Sequence, residues 1–167
     1  TSISYDHTAI LGNTLAQIAA EKAGIIKPGI PVVSSPQRAE ALAVIRNIAR
    51  EKNAPLVEVN SDLEFQTPTL ATGASVADSK FQITPTAQSL DSQEFSFTQQ
   101  DASHLELLTF SLKLLGRHQL VNAATALATL SVLQAQGTNL PTHALREGIR
   151  NVEWHGRFEI LSRHPFL

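Results

Sequence analysis

The chain has 167 residues, a length that suits one domain, with 43% hydrophobic residues to fill a core and a formal net charge of −2 that gives no reason to expect nucleic acid or an anionic membrane surface as a partner. It has no cysteine, which excludes a disulfide framework and thiolate chemistry, and no apolar run of transmembrane or signal-peptide form, a composition that suits a cytoplasmic location. The lack of methionine, with an opening that reads as the tail of a strand, suggests an internal piece of a longer protein.

Ile3-Ser4-Tyr5 reads as the end of a strand, and His7 follows it at the kind of position where ligands gather in α/β folds. A neutral imidazole there can bind a divalent metal, although a hydrogen-bonded structural histidine fits the same position. A helix is expected from Thr14, whose hydroxyl can pair with Gln17 in a capping box, to Gly24. Leu15, Ile18, Ala19 and Lys22 fall at i, i+3, i+4 and i+7, which places Lys22 in the apolar stripe while Glu21 points away. A buried ammonium is costly, so such a lysine is paired, deprotonated or modified, and a neutral amine can take up carbon dioxide as a carbamate. The alternative is a lysine that snorkels from a helix end near the negative pole of the dipole.

Ile30 to Ser34 is a β-branched run between Pro28-Gly29 and Ser35-Pro36 and predicts a buried strand. Ser35 and Pro36 then suit the cap and first turn of a helix to about Asn53, with Leu42, Ile45, Ile48 and Ala49 on one face and Arg38, Arg46 and Arg50 outside as a solvated surface. Pro55 to Val59 predicts another strand, so the order is strand, helix, strand, helix, strand, the pattern of parallel pairing. From Asn60 to about Ser103 the chain becomes Thr/Ser/Gln-rich and predicts hairpin strands over 65–70, 81–84 and 94–98. Leu108, Phe110, Leu112 and Leu114 alternate with polar residues and should complete a small antiparallel sheet in a 60–115 region that carries no catalytic motif. Gly116 opens a helix to Gly137 with Leu120, Ala123, Ala124, Leu127 and Leu130 as its core stripe. His118, Asn122, Thr125 and Thr129 share another line, by spacing alone a wetter face. A short helix near 142–150 precedes Glu153-Trp154-His155-Gly156-Arg157-Phe158-Glu159, where Arg157 taken by itself reads as paired with Glu159.

The block D-H-T-x-x-L-G-x-T-x-x-x-I-A-x-E-K-A-G-I-x-K from Asp6 to Lys27 resembles the segment that marks folylpolyglutamate and dihydrofolate synthases, ATP-dependent amide ligases of the Mur ligase superfamily. Gly116 to Ala126 is similar to that family's G-x-H-x-x-x-N-A-x-A, and Trp154 to Glu159 to its W-x-G-R-x-E. The resemblance implies magnesium held by His7 and a carbamylated Lys22 that helps hold a second metal. It further implies Asn122 as an ATP contact on the adenine side, His118 as a weaker one, and Arg157 on the ATP phosphates.

It also implies an α/β fold: part of a P-loop-type parallel sheet with flanking helices, plus the small antiparallel sheet. Residues 1–158 would be the C-terminal half of the central ATP-binding domain, and 159–167 the start of a linker to a further domain. None of the five lysines follows a glycine, so the chain holds no G-x-x-x-x-G-K-[ST] loop and carries one side of a nucleotide site. The activity implied for the parent protein is addition of L-glutamate to folate or dihydropteroate through an acyl phosphate. The alternatives are a related amino-acid ligase acting on another carboxylate, or a non-catalytic binding or scaffold domain.

Overall fold

The computed structural model describes residues 3–5, 13–60, 62–67, 79–100 and 105–154. In chain order the elements are α1 (Leu15–Ala23), β1 (Val32–Ser34), α2 (Ala39–Glu51), β2 (Leu56–Glu58), β3 (Glu64–Thr67), β4 (Ser79–Gln88), β5 (Gln93–Gln100), β6 (Leu105–Leu112), α3 (Arg117–Ala135) and α4 (Thr142–Asn151). The α/β class expected from the sequence is what forms. No described helix is long and apolar enough to cross a membrane.

α1 starts as its sequence dictates. Thr14 Oγ1 accepts from the Gln17 backbone N–H at 3.2 Å, and Gln17 Oε1 accepts from the N–H groups of Thr14 and Asn13 at 3.2 and 2.9 Å. This reciprocal box satisfies donors that have no partner inside the helix. Glu40 of α2 adds an acceptor for the Ala16 N–H at 3.3 Å, joining the two helices at that end. α2 begins three residues later than the Ser35-Pro36 signal suggests, with Arg38 at its cap and no side-chain hydrogen bond there. Ser35 Oγ is engaged instead by Gln37 Nε2 at 3.2 Å, and Gln37 Oε1 takes the Ile3 N–H at 2.7 Å. The described residues 3–5, expected as a strand end, carry no strand pairing, and the Ile3 N–H goes to a side chain instead.

β1 and β2 pair in parallel, Val32 opposite Leu56 and Val33 opposite Val57, and form a wall with a core on each face. Val32 and Leu56 pack on the cluster of Leu15, Ile18, Ala19 and Ala23 from α1 with Ala41, Ile45 and Ala49 from α2. Val33 and Val57 face the other cluster, built from the sheet and α3. Burial on both faces is the usual condition of parallel strands. On the helical side Arg46 reaches from α2 to Glu58 with two 2.6 Å hydrogen bonds, a fork-to-carboxylate pair that raises the arginine pKa through the bond and charge of Glu58.

The antiparallel sheet is a meander in the order β3-β4-β5-β6, with a register irregularity between Pro85 and Ala87. Alternation puts Phe81, Ile83, Phe95, Phe97, Phe110 and Leu112 on its buried face. Phe95 stacks on Phe110 and Phe81 on Phe97 with centroids 5.4 and 5.5 Å apart. α3 lies against this face through Leu120, Ala123, Ala124, Leu127, Ala128 and Val132.

Candidate functional site

A groove of about 620 Å³ opens where α4 meets α3 over the end of β6. Its wall on α3 is Gln119, Asn122, Ala123, Ala126 and Leu130, at i, i+3, i+4, i+7 and i+11 and therefore on one helix face. Leu112 and Leu114 close one side, Leu145, Gly148 and Ile149 of α4 the other, and Val152 and Trp154 follow from the segment after α4. Trp154 is 61% exposed at its rim.

The start of α3 is set by Gly116, which caps the helix at φ +99°, a left-handed conformation that favours glycine. A Cβ there would also stand 2.9 Å from Cε1 and 3.0 Å from Nδ1 of His118, so the imidazole lies over the glycine. Buried Gln93 of β5 ties down the approach to this turn by donating from Nε2 to the carbonyls of Leu114 and Gly116, the latter at 3.2 Å. At the groove wall, Asn122 Nδ2 donates to Gln119 Oε1 at 3.0 Å.

The site residues expected from the sequence separate into groups. Asn122 lines the groove, whereas His118 is exposed on the same helix and is not part of the groove wall. Thr125 and Thr129, grouped with Asn122 by spacing, turn their hydroxyls to the carbonyls of Val121 and Thr125 at 2.8 Å. Lys22 is corrected: its helical angle matches the stripe, but it is exposed at the end of α1, where Ala23 and Ile26 take the buried positions. The burial argument for a neutral amine therefore does not apply to it. His7, Arg157 and the 159–167 linker lie outside the described residues, and no group of three or more His, Asp or Glu that could hold a metal ion exists among the described ones. Two groove residues escaped the sequence reading. In the sequence Gln119 stands as a polar residue beside the core stripe and Trp154 as part of a motif; two amides three residues apart on one helix face are the available signal.

No protein-family model matches the chain. Over 172 residues it is 36% identical to the dihydrofolate synthase/folylpolyglutamate synthase of Bacillus subtilis, covering 99% of this chain and 34% of that protein. Over nearly its whole length the chain is therefore similar to part of the folylpolyglutamate and dihydrofolate synthases. It spans about a third of the length of that curated relative. The folylpolyglutamate synthase of Thermotoga maritima matches 89% of the chain and 29% of its own at 32% identity and a TM-score of 0.64. An FPGS-AMPPCP-folate complex matches 96% of the chain and 34% of its own at 25% identity and a TM-score of 0.73.

Proposed function

We propose that this chain supplies the adenine side of the nucleotide site in a ligase that joins L-glutamate to folate or dihydropteroate at the expense of ATP. The observation that carries the reading is the groove itself: a mostly apolar slot with the amides of Gln119 and Asn122 on its wall and Trp154 at its rim, the mixture of flat apolar surface and few polar groups that a purine needs. The solved FPGS complex with AMPPCP and folate supports the same ligands for a protein of this family.

In this reading the substrate carboxylate attacks the γ-phosphorus of ATP, ADP leaves, and the glutamate amine then displaces phosphate from the acyl phosphate to form the amide. Little covalent chemistry falls to the protein, whose work is positioning and charge neutralisation. Asn122 holds the base, with His118 a weaker contact. Arg157, three residues beyond Trp154, holds the phosphates through its fork of donors. Magnesium bound there would neutralise charge on the phosphates, with His7 as a ligand and a carbamylated Lys22 offering oxygen donors to a second metal, a role supported by the sequence resemblance. Residues 1–158 are then the C-terminal half of the central ATP-binding domain and 159–167 the start of a linker, in a protein of the cytoplasm with no nucleic-acid or membrane partner.

The test is steady-state kinetics on the full-length protein that carries this chain, with folate or dihydropteroate and glutamate saturating. Asn122→Ala should raise the KM for ATP about tenfold with kcat largely kept, the loss of about one hydrogen-bonded contact. An unchanged KM for ATP would remove the base from the groove. For the metal side, His7→Ala and Lys22→Ala should lose turnover, acetate should partly restore Lys22→Ala, and Lys22→Arg should stay inactive because a guanidinium cannot become a carbamate. A fully active Lys22→Arg enzyme would end the carbamate assignment.

A further inference from the structure

The groove wall holds a polar side chain that the reading above leaves without a task. Gln119 is only 4% exposed, yet it lines the groove. Its Oε1 is occupied by the Asn122 Nδ2 hydrogen bond at 3.0 Å. No described residue accepts from its Nε2. A buried amide NH₂ without an acceptor is costly, and native structures keep such groups mainly where a ligand or water completes them. The neighbouring amide is fixed by the same contact. One of the two Nδ2 N–H donors goes to Gln119, and Asn122 keeps its Oδ1 as an acceptor. The pair thus sets the unpartnered Gln119 Nε2 donor group beside the Asn122 Oδ1 acceptor.

Adenine carries the complementary pair on either of two edges. The exocyclic N6 amine is a donor, and the ring nitrogens beside it, N1 and N7, are acceptors. A single Asn or Gln commonly makes both bonds at once; here two side chains, three residues apart on one helix face, would divide them. We propose that Gln119 is a second base-reading residue of this groove, donating from Nε2 to a ring nitrogen of adenine while Asn122 Oδ1 accepts from N6. This rests on the groove being the adenine site. It assigns Gln119 a direct contact that its buried position and its place between motif residues conceal.

Replacing one ring nitrogen of the nucleotide by C–H tests this contact atom by atom. In the full-length protein, KM and kcat are measured with ATP, 1-deaza-ATP and 7-deaza-ATP, for the native enzyme, Gln119→Met and Gln119→Glu. Met matches the glutamine in size and removes the donor. Glu keeps an acceptor for Asn122 Nδ2 and also lacks an N–H when ionised, so one variant remains informative if the other folds poorly.

The native enzyme should show a KM about tenfold higher for one of the two deaza nucleotides than for ATP, with kcat little changed, and which one identifies the edge that is read. In both Gln119 variants that gap should close, because the donor that sensed the ring nitrogen is gone. A native enzyme indifferent to both analogues, or a gap that persists in the variants, overturns the proposal. Asn122→Ala separates the two levels. If it raises the KM for ATP while the Gln119 variants keep the deaza gap, the groove takes adenine and the assignment of Gln119 is wrong. If it leaves the KM unchanged, the groove reading itself has failed.

Discussion

The two faces of the β1–β2 wall bury their side chains by different means. On the Val32 and Leu56 face, α1 and α2 meet through Ala19, Ala23, Ala41 and Ala49, with Leu15, Ile18 and Ile45 filling between them. On the Val33 and Val57 face, four phenylalanines from the antiparallel sheet form the core under α3. Small residues at a helix contact bring the axes close, whereas aromatic rings span the wider gap between a sheet and a helix. The difference bears on function. The alanine-lined side buries both helices against the strands and leaves Lys22 exposed at the end of α1. On the aromatic side α3 buries one face on the sheet, and its adjacent face, with Gln119 and Asn122, forms a groove wall under α4, which has no fully buried residue of its own.

If the two cores are built this way, they should fail in opposite directions. Phe95 is fully buried and stacked on Phe110, so Phe95→Ala should cost about 4 kcal/mol in urea unfolding, the lost transfer energy plus the cavity. Ala41 is fully buried where the two helices meet, and there enlargement is the injury: Ala41→Leu should cost about 2 kcal/mol through forced separation of α1 and α2. An Ala41→Leu protein as stable as the native one would show that the helical core has slack, and the contrast would be lost.

How much of this was legible depends on how local each cause is. The capping box of α1 needs only Thr14 and Gln17, and both its bonds form as the spacing says. The alternation of Leu108, Phe110 and Leu112 likewise gives the buried face of β6 directly. Lys22 was misplaced because periodicity gives the direction of a side chain and not the extent of the neighbour that covers it. The start of α2 was misplaced because Gln37 answers Ile3, 34 residues away, and takes Ser35 with it. Gln119 was invisible for a related reason. A glutamine at the margin of an apolar stripe reads as solvent-facing until α4, more than twenty residues on, folds over it beside the end of β6. Motif resemblance gave Asn122, which motif and groove both single out; only the fold pairs it with Gln119.

The smallest expected effect tests whether the helical side holds by local caps as well as by packing. Thr14→Ala removes the Oγ1 acceptor for the Gln17 N–H and should cost about 1 kcal/mol, whereas Thr14→Ser keeps an equivalent oxygen and should cost much less. Global unfolding alone cannot assign that loss, so amide hydrogen exchange is the sharper measure. In Thr14→Ala the amides of the first turn, Ala16 and Gln17, should exchange faster, and those in the middle of α3 should change only by the shared global term. The Ala16 N–H should be the less affected of the two, because Glu40 of α2 accepts from it independently of Thr14. Equal acceleration at Ala16 and Gln17 would mean that the Glu40 contact does not hold in solution, and that α1 is joined to α2 by its buried Leu15, Ile18, Ala19 and Ala23 rather than by a shared cap.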